Sequence, residues 1–264
     1  MQNKVIGIVG GMGSEAGIAL YQRILANTHA RTDQEHLSTI LMSFPELIAD
    51  RTAFLMGDTS INPAYEVVNV IDRLARAGAE VVGIACNTSH VSEIFDVIVE
   101  GTLHLSRPVR LLNMPFEVSD HLKVQVTNGS RVGVLMTNGT YHSGLYGKVV
   151  EEAGCIPVIP DQTFQKHVVH KMIYDPEIGI KANFGLLKPA TRDLFKRAME
   201  FFIDASCEAV ILGCTELSLT GDLQKHYPLR YVDSTECMAR ALIRAATDGQ
   251  EIKRRDHRLV EVSQ

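Results

Sequence analysis

The sequence predicts an α/β fold of two similar domains, each a mostly parallel sheet flanked by helices, related by a pseudo-two-fold axis with a cleft between them. Three observations predict it. Short apolar runs alternate with helical patterns along the chain, the signature of a parallel sheet with helices on both faces. The pattern restarts midway: "VIGIVGGMG" and "RVGVLMTNGT" are each a strand running into a glycine-containing loop. Two later apolar strands, "VVGIAC" and "AVILGC", each stop on a cysteine. Cys86 follows Gly7 at nearly the distance by which Cys214 follows Gly133, and Glu80 and Glu208 sit at the same offset upstream.

The elements follow in order. "KVIGIVG" reads as a buried strand, and "SEAGIALYQRILANTHA" as a helix with Ile18, Tyr21 and Leu25 on one face. "STILMSF" is the second strand. "NPAYEVVNVIDRLARAG" opens with Asn62 as N-cap and Pro63 at the first helical position, then closes on Gly78. "AEVVGIA" is the next strand, and "TSHVSEIFDVI" is helical after it. The boundary between the halves falls near "RLLNMPFEVSD", and the turn signal "NGS" introduces the strand that restarts the pattern. The last strand and helix, "RYVDSTECMARALIRAA", are expected to return to the first half. The expected domains are therefore residues 1–113 plus 223–264, and residues 114–222.

Composition narrows the function classes. An apolar fraction of 45% and a charged fraction of 22% are those of an ordinary soluble globular protein. A net charge of −5 offers no basic face for nucleic acid. The one basic cluster, "IKRRDHR", is interrupted by Asp256 and reads as a solvated tail. No apolar run reaches the length of a membrane span, and the glycine loop breaks the N-terminal apolar stretch where a signal peptide would continue. The expectation is a cytoplasmic protein with neither nucleic-acid nor membrane partners. Five scattered cysteines then read as reduced thiols, with Cys155, Cys207 and Cys237 as small core residues. Neither Cys86 with His90 nor His167 with His170 offers enough ligands for zinc, so no metal is expected.

Cys86 and Cys214 stand apart. In an open α/β sheet, ligands sit outside the carboxyl ends of the strands, where both cysteines fall. Backbone N–H groups and a following helix favour anions there, so the thiol pKa is expected to fall from about 8.5 toward neutrality. Two facing acid–base groups of one type suit the removal of a proton from one face of a carbon and its return to the other. One must then be thiolate and the other thiol, a mixed state that repulsion between close thiolates helps to hold. A remote alternative is an NAD-binding oxidoreductase, because "GMGSEA" fits the dinucleotide fingerprint. Against it, the second strand runs into Ser43 where an acidic residue would be wanted.

The motifs "GGMG", "DRT" (Asp50 to Thr52), "ACNTSH", "TNGTYHSGLY", "IKAN" (Ile180 to Asn183) and "LGCTEL" occur in that order. Together they resemble the cofactor-independent aspartate racemases of the aspartate/glutamate racemase superfamily, over nearly the whole chain. The resemblance implies a homodimer that racemises a small amino acid, aspartate, without pyridoxal phosphate, other cofactor or metal. It implies acid–base roles for Cys86 and Cys214, and makes Asn87, Thr88 and Thr215 holders of the α-carboxylate and ammonium. Arg51 and Lys181 match the cations that grip the side-chain carboxylate, while Met12, Ser89 and Thr137 fall at further substrate-binding positions. A second carboxylate on the substrate does demand a fixed cation, and an arginine fork binds it in bidentate fashion. Positive charge also steadies a carbanion-like transition state. Glutamate racemases usually carry an acidic residue in the first glycine loop and a histidine soon after the second cysteine. Here those places hold "GGMG" and Glu216, which favours aspartate, while Ser14 departs from the common "GGMGP". A glutamate-preferring or broad-specificity racemase is the alternative.

Overall fold

The computed structural model describes residues 3–183 and 186–247, so the basic cluster near the C-terminus lies outside the described residues. Strands β1 (Ile6–Gly10), β2 (Thr39–Ser43), β3 (Val81–Ile84) and β4 (Arg110–Leu111) form one parallel sheet in the order β2-β1-β3-β4. Strands β5 (Arg131–Met136), β6 (Ile156–Val158), β7 (Ala209–Gly213) and β8 (Arg230–Asp233) form a second, in the order β6-β5-β7-β8. The central strands β1, β3 and β7 are buried throughout, which is why they read as unbroken apolar runs rather than alternating ones.

The repeat seen in the sequence is a repeat of register. Gly7 pairs with Val82 in the first sheet, and Gly133 with Val210 in the second. Glu80 N donates to Val5 O and Glu208 N to Arg131 O, both at 2.9 Å. The outer strands agree as well: Arg110 N donates to Glu80 O at 2.8 Å, and Arg230 N to Glu208 O at 3.2 Å. The aligned glycines have a shared cause. A Cβ on Gly7 would stand 2.9 Å from Cβ of Ala79, and one on Gly133 would lie 2.4 Å from the Phe202 ring. Only a bare backbone lets the covering chain approach that closely.

Helices α1 (Ser14–Asn27), α2 (Arg51–Met56), α3 (Ala64–Arg76), α4 (Ser92–Thr102) and α5 (Met114–Gln125) belong to the first part of the chain. Helices α6 (Asn138–Ser143), α7 (Leu145–Glu152), α8 (Pro189–Asp204) and α9 (Ser234–Ala246) follow. In α3 the stripe Val67, Val70, Ile71 and Leu74 is buried, at the spacing of one helical face. The Asn62 side chain accepts from Ala64 N at 2.9 Å, but Pro63 takes the N-cap position expected for Asn62; Gly78 follows the helix at φ +105°, as the sequence signals. Helix α1 turns its other face inward. Ala16, Leu20 and Ile24 are buried, whereas Ile18 is exposed and Tyr21 and Leu25 are half-buried. The small residues Ala16 and Gly17 allow the close approach that selects this face.

The end of the chain also departs from expectation. Strand β8 does not return to the first half; it pairs with β7, from Ala209↔Arg230 to Leu212↔Asp233, and satisfies that strand's open edge. Only the helix behind it crosses. Met238, Ala239, Leu242 and Ile243 of α9 share a core with Ile6, Ile8 and Val81 of the first sheet. The first half does the same in reverse. After β4, Val118 and Leu122 of α5 join Val132, Val134 and Ile211 of the second sheet. The two helices start alike, capped by Asn113, which accepts from Phe116 N, and by Asp233, which accepts from Thr235 N and Glu236 N. Each half therefore ends in a helix that covers the other.

Candidate active site

Cys86 and Cys214, at the carboxyl ends of β3 and β7, line one cleft between the halves, together with Arg51, Tyr174, Lys181 and Glu216. Met12, Asn87, Thr88, Thr137 and Thr215 line it too. Ser89 does not. It is fully buried and its Oγ donates to Met12 Sδ at 3.3 Å, so it supports the glycine loop from behind. The cleft is narrow, leaving about 10 Å³ for the centre of a water molecule, room for about one water.

The first corner is built from neutral groups and one cation. His90 Nδ1 lies 2.9 Å from Cys86 O; a carbonyl only accepts, so Nδ1 carries the hydrogen. The ring stacks on Phe95 at 4.8 Å. Burial pushes this imidazole down to about 4 despite the nearby carbonyls, so His90 is neutral. Thr88 Oγ1 is 3.0 Å from both Thr137 Oγ1 and Thr140 Oγ1, which are 3.2 Å apart, a closed triangle of hydroxyls joining the halves. Arg51 donates from Nη2 to Met12 O at 2.8 Å and from Nη1 to Ala49 O at 3.2 Å. Burial opposes its charge, but Cys86, Tyr174 and Asp50 outweigh it and hold the guanidinium above its usual pKa.

The second corner is ionic. Cys214 Sγ donates to Glu216 Oε2 at 3.0 Å. Glu216 Oε1 accepts from Gly13 N at 3.0 Å and from Lys181 Nζ. Lys181 also donates to Met12 O at 3.3 Å and stands 5.4 Å from the centre of the Tyr174 ring. Tyr174 OH in turn donates to Asp50 Oδ2 at 3.1 Å. Burial disfavours the Glu216 anion, yet Lys181, Cys214 and the Gly13 amide hold its pKa below the usual value. Burial opposes the Lys181 cation, but Glu216, Cys214, Tyr174 and Cys86 together outweigh it and raise its pKa.

For Cys214 the expected fall in pKa is reversed. Burial first, and then the adjacent Glu216 carboxylate, push the thiol well above its ordinary value, with Lys181 opposing. The segment after it, Thr215–Thr220, is a short 3₁₀ turn rather than a long α-helix, so little dipole is available to offset those two effects.

Several participants escaped the sequence reading. Glu216 stood in "GCTEL" beside the cysteine and registered only as a departure from the glutamate racemases. Thr140 and Tyr146 stood within "TNGTYHSGLY" without being given a role, and Tyr174 carried no local signal because it reaches the site from an element outside every motif. Among the described residues no group of His, Cys, Asp and Glu could hold a metal ion. All five cysteines are free. The Gly13 N–H, which a dinucleotide would want for its pyrophosphate, is engaged by Glu216.

Residues 9–242 match the Asp/Glu/Hydantoin racemase family. The chain belongs to that family. This racemase-family chain is 29% identical to the glutamate racemase of Carboxydothermus hydrogenoformans over 226 residues, covering 78% of this chain and 74% of the relative. Its fold matches that of the Picrophilus torridus aspartate racemase with a TM-score of 0.74 and 28% identity, covering 92% of this chain and 94% of that one. An aspartate racemase homologue from Pyrococcus horikoshii shares the fold with a TM-score of 0.66, at 23% identity and over 92% and 99% of the two chains. No helix of the described residues is long and apolar enough to cross a membrane.

Proposed function

We propose that this racemase interconverts L- and D-aspartate by two-base proton transfer at Cα, between Cys86 and Cys214, without a cofactor. The observation that carries the reading is the pair of thiols lining one cleft in opposite surroundings. Cys214 is a thiol hydrogen-bonded to a carboxylate, ready to donate. Cys86 lies beside the Arg51 guanidinium instead, and the reading gives it the accepting role.

In the forward step Cys86 takes the α-proton, forming an S–H bond as the Cα–H bond breaks. The electron pair delocalises into the α-carboxylate. Cys214 then delivers its proton to the opposite face of Cα and is left as the thiolate. The reverse reaction exchanges the roles. Arg51 and Lys181 bracket the Met12 carbonyl and supply positive charge for the side-chain carboxylate.

Proton NMR of L-aspartate in heavy water tests the reading. The α-proton signal should disappear as deuterium enters Cα with no cofactor added; a signal that persists at excess enzyme would remove the proposal. A chiral assay across aspartate, glutamate, alanine and serine should give the highest kcat/KM for aspartate. Highest turnover on glutamate would instead assign the chain to the activity of its relative from Carboxydothermus hydrogenoformans.

A further inference from the structure

We propose that Tyr146 and Ser234 are positioning residues that fix the Asn87 amide as a hydrogen-bond donor toward the α-carboxylate of the reacting amino acid. The inference rests on the racemase reading above, and it comes from following each hydrogen through a buried relay.

The Leu212 carbonyl can only accept. Ser234 Oγ lies 2.7 Å from it, so the single Ser234 hydroxyl hydrogen is directed there. Ser234 then has only lone pairs for its other neighbours, Asn87, whose Nδ2 is 3.0 Å away, and the Tyr146 hydroxyl. The amide nitrogen therefore faces Ser234 and the amide oxygen faces Tyr146, whose hydroxyl donates to Oδ1. Turning the amide over would set Oδ1 against the Ser234 lone pairs, with no hydrogen between them. Asn87, Ser234 and Tyr146 are all buried, at 2%, 0% and 0% exposure, so water does not relax this constraint.

One Asn87 N–H is left without a partner among the described residues, on a side chain that lines the cleft next to Cys86. A donor there meets the oxygen onto which charge moves when Cα loses its proton, so it stabilises the transition state more than the ground state. A flipped amide would offer a lone pair and repel the same oxygen. The equivalent residue after the second cysteine is set the opposite way. Thr215 Oγ1 lies 3.4 Å from Ala85 O and 3.3 Å from Glu216 Oε2, both acceptors, so its hydrogen is engaged and it presents lone pairs. That suits the ammonium group. The relay thereby orients the amino acid, carboxylate toward Asn87 and nitrogen toward Thr215.

Tyr146→Phe should lower kcat for aspartate racemisation about tenfold while KM stays within about twofold. Introduced into an Asn87→Ala background, it should cause no further loss. Unchanged kcat in Tyr146→Phe, or an equal further loss in the Asn87→Ala background, would overturn the proposal. A measurement free of activity separates it from the racemase reading. In ¹H–¹⁵N spectra of the free protein, the Asn87 side-chain pair, assigned by its disappearance in Asn87→Ala, should move in both Tyr146→Phe and Ser234→Ala. Resonances that stay in place in both variants would show that no relay exists, whatever the protein catalyses. Shifted resonances in a protein that leaves aspartate untouched would keep the relay and remove the substrate. Ser234→Ala provides the same kinetic test should Tyr146→Phe fail to fold.

Discussion

The corner after Cys86 and the corner after Cys214 sit at matched positions in matched sheets, yet they are furnished in opposite ways. The residue two beyond each cysteine reaches across to the glycine loop of the other half. From the first it is Thr88, joining Thr137 and Thr140; from the second it is Glu216, bonding to Gly13 N. The first corner carries hydroxyls and a neutral imidazole with a guanidinium alongside. The second carries a buried carboxylate–ammonium pair, where burial and the Glu216 carboxylate hold the cysteine as a thiol against the pull of Lys181. The duplicated backbone places the sulfurs, and the side chains hung on it decide where the proton rests. A two-base reaction needs one thiol and one thiolate at a time, a mixed state that repulsion between close sulfurs also favours.

The comparison can be broken or sharpened by substitution. The largest effect is expected from the sulfurs: Cys86→Ala and Cys214→Ala should each lower racemisation at least about a thousandfold, measured by chiral chromatography. Wild-type rates in either variant would end the two-base scheme. Lys181→Met comes next, because it strands a buried Glu216 carboxylate. Urea unfolding should show a loss of about 3–5 kcal/mol, and adding Glu216→Gln should recover most of it.

Acid should separate the two corners. His90 has a folded pKa near 4 against a usual 6.5, so the unfolded chain binds more protons between those values. Its contribution is intact above 6.5 and declines as pH falls toward 4, by about 3 kcal/mol. Glu216 has the same sense in a more acid window: its contribution is present above 4.5 and is lost only below it, as the depressed folded pKa is crossed. Unfolding free energies of His90→Asn should therefore be flatter than wild type above 4.5 and parallel to it below. A wild-type slope retained in the variant would show that His90 is not the group responsible. The smallest effect is local. Glu216→Gln removes the charge that helps raise Cys214, so the midpoint for its alkylation by iodoacetamide should move to lower pH. A midpoint that stays put would leave burial as the whole cause.

Much of this was legible in the chain because it depends on local pattern. The strand runs, the Gly78 end of α3 and the aligned Gly7 and Gly133 are all statements about a residue and its near neighbours. So was the placing of Cys86 and Cys214 at strand ends. What failed depends on surfaces that meet only in three dimensions. The inward face of α1 was misread because larger apolar residues, Ile18 and Tyr21, mark the outer side while Ala16 and Gly17 mark the close contact. The pKa of Cys214 was misjudged because burial, its largest influence, and the turn of the Glu216 carboxylate toward the sulfur arise only when the fold closes. The pairing of β8 with β7, unlike the exchange of α5 and α9 along the expected boundaries at residues 114 and 223, is invisible to periodicity, since an apolar strand does not record which sheet edge it completes.

That exchange bears on how the molecule comes apart. Stripped of α9, the first sheet loses Met238, Leu242 and Ile243 from its core; stripped of α5, the second loses Val118 and Leu122. Neither half retains a finished interior when the other melts, so calorimetry should record a single heat-absorption peak rather than two, with calorimetric and van't Hoff enthalpies in agreement.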